Sequence, residues 1–135
     1  MKTLFELKNE LPFDMSIFEN MKKTADDLLE SAPNGQYTQA VILLSKNQNQ
    51  YAAVIENALS EQGEDKAALL ERLQTAHDTE ISYALCMWKE DGCIDIPSYS
   101  FREKLLSLSS MNAETLMFVM TNGRFSVMKL GASMK

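Results

Sequence analysis

With 135 residues, 45% of them hydrophobic and 24% charged, the chain has the size and composition of one globular domain and not of a disordered segment. Its longest apolar runs have no more than six residues, too few for a membrane span of about 20, and no secretory signal is visible, so we expect a soluble, cytoplasmic protein. The formal net charge is −6, and ten acids against three bases over residues 56–95 disfavour nucleic acid or a membrane as a direct partner.

The first third of the chain predicts a helix followed by two strands. Ser16 and Glu19 have the spacing of a capping box, and apolar residues at helical spacing continue to Glu30. The nearly continuous apolar run within residues 37–45 is typical of a strand that is buried on both faces. After a polar loop, Tyr51–Glu56 is expected to return antiparallel to that strand.

The middle third repeats this order, with a helix predicted over residues 63–76 and a strand over residues 81–89. Asp91-Gly92 predicts a two-residue hairpin turn. A short return strand over residues 93–96 then ends at Pro97, which cannot donate to a sheet. The two strands are therefore expected to be antiparallel neighbours.

The last third contains a third helix from about Ser100, where Ser100 and Glu103 again have the capping-box spacing. Strands over residues 115–121 and 124–130 flank Asn122-Gly123, the strongest hairpin signal in the chain. The complete order is αββ three times, which predicts a single α+β domain with about six strands and three helices. We expect a largely antiparallel sheet with the helices packed mainly on one face.

The two cysteines are expected to be free thiols. In the predicted hairpin register Cys93 faces Glu90 and Cys86 lies opposite Pro97, which separates the thiols by roughly 13 Å. A disulfide requires Cα atoms within about 7 Å of each other. Cys93 follows the turn and is a candidate nucleophile, but the carboxylates beside it oppose formation of a thiolate.

His77, the only histidine, is a candidate general base because Asp78 follows it and Glu80 lies nearby. It also lies at the predicted end of the second helix, where a cation interacts favourably with the helix dipole, and we favour this structural role. A catalytic pair of His77 and Cys93 requires the fold to bring the two side chains together. A single histidine excludes every site that needs two.

The sequence contains no recognisable motif for a metal, nucleotide or covalent enzyme site. It lacks C-x-x-C, H-x-x-x-H, G-x-G-x-x-G, the P-loop and G-x-S-x-G, and it lacks the signatures of deaminases, zinc fingers, helix-turn-helix proteins and kinases. Glu90, Asp91 and Asp95 could hold a hard cation loosely, although the calcium-loop pattern is absent. We therefore predict no catalytic residues, no metal and no cofactor.

These features favour a non-catalytic, acidic protein-binding module that is not an enzyme. Its most concrete form is a bacterial immunity or inhibitor protein that neutralises a basic toxin or nuclease, because complementary charge accelerates association with such a partner. The residues expected to contact the partner are Glu61, Glu64, Asp65, Asp78, Glu90, Asp91 and Asp95.

Two alternatives stay open. The first is a small-ligand-binding protein or an enzyme with a site built from non-adjacent residues, for which His77, Cys93 and clustered carboxylates are candidates. The second is a structural homo-oligomeric subunit, with a homodimer as the simplest case. Its contacts would come from Phe125, Val127 and exposed methionines of the C-terminal hairpin.

Overall fold

The computed structural model describes residues 14–32, 37–56, 58 and 64–134, with only the backbone of residues 64 and 65. Within these ranges the elements follow the predicted order. The helices are α1 Met15–Ser31, α2 Glu64–Thr75, α3 Tyr99–Leu108 and α4 Leu130–Ser133, with a 3₁₀ turn at Ser110–Glu114. The strands are β1 Gln39–Ser45, β2 Gln50–Ile55, β3 Ile81–Trp88, β4 Ile94–Asp95, β5 Leu116–Thr121 and β6 Arg124–Lys129.

The six described strands form one sheet in the order β2-β1-β3-β4-β5-β6. Neighbours in this order are antiparallel. Because β4 has only two residues, β5 extends past it and pairs in parallel with β3, where Tyr83 lies beside Leu116 and Ala84 beside Met117. The predicted α+β class and largely antiparallel six-stranded sheet are confirmed.

Helices cover both faces of the sheet, so the prediction that they pack mainly on one face is wrong. Ala40 and Ile42 of β1 pack under α1, whereas Val41 and Leu43 pack under α2 and α3. Adjacent residues of a strand point to opposite faces, and a continuous apolar run is therefore buried only where both faces are covered. The described part of the chain contains no helix that is long and apolar enough to cross a membrane.

Two helices begin slightly earlier than predicted. The Oδ1 atom of Asp14 accepts a hydrogen bond of 2.9 Å from the amide of Ser16, so Asp14 and not Ser16 caps α1. Ser98 caps α3 in place of Ser100, because its Oγ atom accepts from the amide of Phe101 at 3.4 Å. Both residues satisfy an amide that the first turn of a helix leaves unpaired.

The hairpin between β3 and β4 has a longer turn than predicted. The opposed residues are Cys86 with Asp95, Met87 with Ile94, and Trp88 with Cys93. The turn is therefore the four-residue segment Lys89–Gly92, in which Gly92 has φ +72°. Both cysteines are nevertheless free, as predicted. Asn122-Gly123 does form a two-residue turn, with φ of +54° and +76° as type I′ geometry requires.

Candidate functional site

The carboxyl end of β3 meets the start of β1 and the N-termini of α2 and α3, and we call this region the carboxyl edge. The amide of Lys89 donates to the carbonyl of Thr38 at 2.9 Å, and the amide of Ala58 donates to the carbonyl of Tyr37 at 2.8 Å. These bonds join segments that are far apart in the sequence. The antiparallel pairing of β1 with β3 is what brings them to one edge of the sheet.

A cavity of about 280 Å³ opens at the carboxyl edge between Tyr37, Trp88, Glu90 and Asp91, and we call it the aromatic cavity. Tyr37 is 47% exposed and has φ +58°, a left-handed conformation that is uncommon for residues other than glycine. Trp88 is half-buried and packs against the core on the side of α2 and α3. The cavity thus places two aromatic side chains beside two carboxylates.

Glu90 is held in position at this cavity. Its Oε1 atom accepts a hydrogen bond of 2.9 Å from the amide of Thr38, the residue that follows Tyr37. The buried Oγ1 of Thr38 itself has no hydrogen-bond partner in the described part of the chain. A buried hydroxyl without a partner costs about 1–3 kcal/mol.

Beside the cavity a buried lysine lies between the starts of two helices. Lys66, in the first turn of α2, is only 7% exposed. Its Nζ atom donates to the carbonyl of Ala58 at 3.1 Å and lies 3.5 Å from the Oγ atom of Ser98, the cap of α3. We call Ala58, Lys66 and Ser98 the helix junction. Since the amide of Ala58 also bonds to Tyr37, one residue links the junction to the aromatic cavity.

Cys86 of β3 lies near this junction but is not reactive. Burial raises the pKa of the Cys86 thiol to about 12, although the charge of Lys66 acts in the opposite direction. A thiol with so high a pKa is protonated at neutral pH, and nucleophilic attack or metal binding requires the thiolate. Cys86 is therefore a core residue.

His77 lies at the opposite edge of the sheet from the aromatic cavity. It precedes β3 whereas Cys93 follows it, and the eight residues of that strand separate the two ends by roughly 26 Å. The structure therefore does not bring His77 and Cys93 together as a catalytic pair. His77 ends α2 instead: it has φ +54°, and the amide of Asp78 donates to the carbonyl of Leu73 in a Schellman motif.

Asp78 is the centre of a polar cluster and is itself only 4% exposed. Its carboxylate accepts hydrogen bonds from Asn47 at 3.0 Å, Asn49 at 2.9 Å and the Tyr51 hydroxyl at 2.8 Å. Burial alone would raise the pKa of Asp78, but the combined hydrogen bonds, which include one from Ser45, lower it. We call these residues the Asp78 cluster. It joins the β1–β2 loop to the segment before β3 and leaves Asp78 unable to contact a partner, contrary to prediction.

Of the acids predicted to contact a partner, those that the structure describes lie at the two ends of β3. The side chains of three of them lie outside the described part of the chain: Glu61, Glu64 and Asp65. Asp78 lies at the amino end of β3, whereas the other three lie at or near the carboxyl edge: Glu90, Asp91 and Asp95. Glu90, Asp91 and Asp95 stay available for the predicted contact, and the prediction for Glu61, Glu64 and Asp65 is untested.

Phe125 does not face solvent, contrary to the predicted homo-oligomer contact. It is fully buried, and its ring packs edge-on against Phe18 with centroids 4.8 Å apart. Phe118 lies within the same group, 5.1 Å from Phe18. Val127 is half-buried and Met128 is exposed. An association through this hairpin would therefore have to use other side chains than Phe125.

Three solved structures with this fold are cytidine deaminases. The enzyme from Bacillus anthracis matches with a TM-score of 0.68 and 10% identity over 87% of this chain and 86% of that chain. That from Mycobacterium tuberculosis gives 0.64 and 16% over 86% and 92%, and that from Burkholderia pseudomallei gives 0.62 and 15% over 84% and 93%. No protein-family model and no curated protein sequence matches the chain. The chain therefore has the cytidine deaminase fold.

These matches contradict the prediction of a non-catalytic protein-binding module, and with it the identification as an immunity protein or inhibitor. The fold is that of enzymes, so the expectation that the chain is not an enzyme is corrected as well. The alternative of a small-ligand site or an enzyme site built from non-adjacent residues is the better supported one. Sequence reasoning did not find Tyr37 and Trp88, because Tyr37 precedes β1, Trp88 ends β3, and the two residues belong to no motif.

Zinc deaminases hold their metal through the signature H-x-E followed by P-C-x-x-C, in which a cysteine can replace the histidine. The sequence contains neither H-x-E nor C-x-E. The proline that precedes α3, Pro97, is followed by Ser98, and Phe101 comes three residues later, where the signature has its two cysteines. Phe101 is buried in the core.

The residues present therefore do not fit a zinc ion. Zinc takes thiolate, imidazole or carboxylate ligands, whereas this position offers a hydroxyl, a phenyl ring and the ammonium of Lys66. Among the described residues there is also no group of three or more histidine, cysteine or acidic side chains able to hold a metal.

Proposed function

We propose that the chain binds a nucleoside or nucleobase in the aromatic cavity and that the carboxylate of Glu90 accepts a proton from this ligand. The observation that carries this proposal is the joint placement of Tyr37, Trp88, Glu90 and Asp91 around one cavity at the carboxyl end of β3. The proteins of similar structure are cytidine deaminases, which supports a ligand of this class.

Heteroaromatic rings suit the cavity because they stack on aromatic side chains, and such stacking contributes about 1–3 kcal/mol per base. Tyr37 and Trp88 supply two such surfaces. An exocyclic amino group or ring N–H can donate to Glu90 or Asp91, and a bond of this kind to a carboxylate is stronger than one between neutral groups. Phosphorylated ligands would be repelled by the same carboxylates, which favours nucleosides and bases over nucleotides.

Glu90 is the candidate proton acceptor. A general base must lie within hydrogen-bond reach of the proton that it removes, and its orientation must be fixed. The bond from the Thr38 amide fixes the Oε1 atom of Glu90 at the wall of the cavity. We therefore expect a Glu90→Gln variant to retain stacking and to lose any turnover that the wild type shows.

Trp88 is the only tryptophan of the chain and lines the cavity, so its fluorescence reports on ligand binding directly. We expect cytidine, cytosine and other nucleosides to quench it, ribose to leave it unchanged, and the 5′-monophosphates to bind more weakly. Ammonia release and ultraviolet absorbance, measured on the same ligands, test for turnover. If no base or nucleoside at millimolar concentration changes the emission of the folded protein, the proposal is wrong.

Tyr37→Ala should weaken nucleoside binding about tenfold, which corresponds to the lower part of the stacking range. Tyr99→Ala is the matched control, because Tyr99 is similarly exposed at 55% but does not line the cavity. Equal affinities for both variants would exclude Tyr37 as a stacking surface.

A cytoplasmic location, expected from the sequence, stays a proposal. So does the docking of a basic protein partner, for which Glu90, Asp91 and Asp95 are exposed and the predicted contacts of Glu61, Glu64 and Asp65 are untested. A homodimer is equally a proposal. Cell fractionation tests the location, a pull-down tests the protein partner, and light scattering tests the homodimer.

A further inference from the structure

We infer that the ammonium group of Lys66 takes the place of a zinc ion at the helix junction. The junction therefore contains the cation of a lysine side chain and does not bind zinc. The junction lies beside the aromatic cavity and not within it. Its chemistry therefore does not depend on what the cavity binds.

The position of the ammonium is the first support. In the zinc deaminase signature the residue after the proline is a ligand, and in this chain that residue is Ser98. The Nζ atom of Lys66 lies 3.5 Å from the Oγ atom of Ser98. An ammonium at this distance occupies the space beside Ser98 in which an ion would have to lie.

The donor set is the second support. The Lys66 ammonium donates to the carbonyl oxygen of Ala58 at 3.1 Å and faces the hydroxyl of Ser98. Oxygen acceptors of this kind suit an N–H donor, whereas zinc sites are built mainly from thiolates and imidazoles. The nearby sulfur of Cys86 does not change this, because burial raises its pKa and keeps the thiol protonated.

Burial and charge are the third support. Lys66 is 7% exposed, and in the described part of the chain no ion pair includes it. It also lies in the first turn of α2, at the positive end of the helix dipole, where a cation is disfavoured. A second cation next to the Lys66 ammonium would be repelled by it, which disfavours zinc at this position.

The second cysteine position of the signature is closed as well. Phe101 packs there with Leu69 and Leu73 of α2 in the core cluster. No rotation of that side chain supplies a ligand, because a phenyl ring has no lone pair to donate. The described residues thus lack two properties that a zinc centre needs: the ligand atoms at Ser98 and Phe101, and the open space that the Lys66 ammonium fills.

The first test uses the wild-type chain. Elemental analysis after expression in zinc-supplemented medium should find far less than one zinc per chain, and the melting temperature should be the same with and without a chelator. One zinc per chain, together with a chelator-induced fall in melting temperature, would overturn the inference.

The second test replaces the side chain by a free cation. Lys66→Ala removes three carbons and the amine, which n-propylammonium can restore. We expect n-propylammonium to raise the melting temperature of Lys66→Ala and to leave the wild type and the exposed-lysine control Lys104→Ala unchanged. The neutral analogue 1-propanol and zinc chloride should not rescue the variant.

Rescue of Lys66→Ala by zinc at the same or a lower concentration than n-propylammonium overturns the inference. So does the absence of any rescue by n-propylammonium in a folded variant. If Lys66→Ala does not fold, the wild-type zinc content and chelator response decide the question alone.

Discussion

Asp78→Asn tests whether the hydrogen bonds to the carboxylate of Asp78 stabilise the folded chain. The carboxylate accepts hydrogen bonds of 2.8–3.0 Å from Asn47, Asn49 and Tyr51. Hydrogen bonds to a charged group contribute about 1.5–3 kcal/mol each, and an isosteric amide keeps one acceptor oxygen but turns an N–H group toward the donors. Because Asn47 and Asn49 are exposed, water can satisfy them in the variant. We therefore expect a total loss of about 2 kcal/mol.

Urea unfolding at neutral pH, followed by Trp88 fluorescence and far-ultraviolet circular dichroism, measures this loss. For a chain of this length it corresponds to a fall of about 6–10 °C in melting temperature. Asp27→Asn is the control, since Asp27 forms an exposed pair of 3.0 Å with Lys23 and its replacement should cost no more than about 0.5 kcal/mol. If Asp78→Asn were no more destabilising than Asp27→Asn, the buried hydrogen bonds would not stabilise the fold.

The loss of stability in Asp78→Asn should also depend on pH, in a direction that the pKa of Asp78 determines. Burial raises the pKa of Asp78, but the hydrogen bonds from Asn49 and its neighbours outweigh this effect and hold the pKa below the ordinary value of 3.8. A lowered folded-state pKa means that the stabilisation is present above the unfolded pKa and is lost as the pH falls through the folded pKa. The difference between wild type and Asp78→Asn should be constant from neutral pH down to about pH 5 and shrink below it.

The hydrogen bond from Tyr51 to Asp78 raises the pKa of Tyr51, so tyrosinate absorbance should titrate at lower pH in Asp78→Asn. Gly131→Ala should destabilise the chain by about 1–3 kcal/mol in thermal unfolding, because the added Cβ would lie 2.9 Å from the Cβ of Ala113. Phe125→Ala should cost about 3–5 kcal/mol, since the ring is fully buried; a neutral effect would place it at the surface. In a thiol-reagent assay the buried Cys86 should react only after unfolding.

Most of the fold could be predicted from hydrophobic periodicity. The alternation in β3 and the helical stripe in α1 gave the right elements within one or two residues. The continuous apolar run Ala40–Leu44 even contained the evidence for two covered faces, because both sides of that strand are buried. The prediction that the helices pack mainly on one face of the sheet was therefore wrong, although this apolar run already indicated that both faces are covered.

The register of the β3–β4 hairpin could not be predicted from the turn residues. Gly92 has the positive φ that a tight turn requires, but a single left-handed residue fits a four-residue turn as well as a two-residue turn. Pairing of Trp88 with Cys93 decided between the two, and such pairing depends on packing across the sheet.

The candidate site could be predicted even less, because its residues meet only after folding. Tyr37 and Glu90 are joined through the amide of Thr38, which is 52 positions away from Glu90. The burial of Asp78 likewise depends on Asn47 and Tyr51, 31 and 27 positions away. Net charge gives no information on whether a carboxylate is solvated or fully bonded.

Strand β3 has an unusual position, since it pairs with β1 on one side and with both β4 and β5 on the other. Its amide protons should therefore be among the slowest to exchange with deuterated solvent, because they become accessible only when the whole sheet opens. The aromatic cavity and the Asp78 cluster lie at the two ends of this strand. Any adjustment to a ligand must then come from the flanking turns, while the distance between the two ends stays fixed.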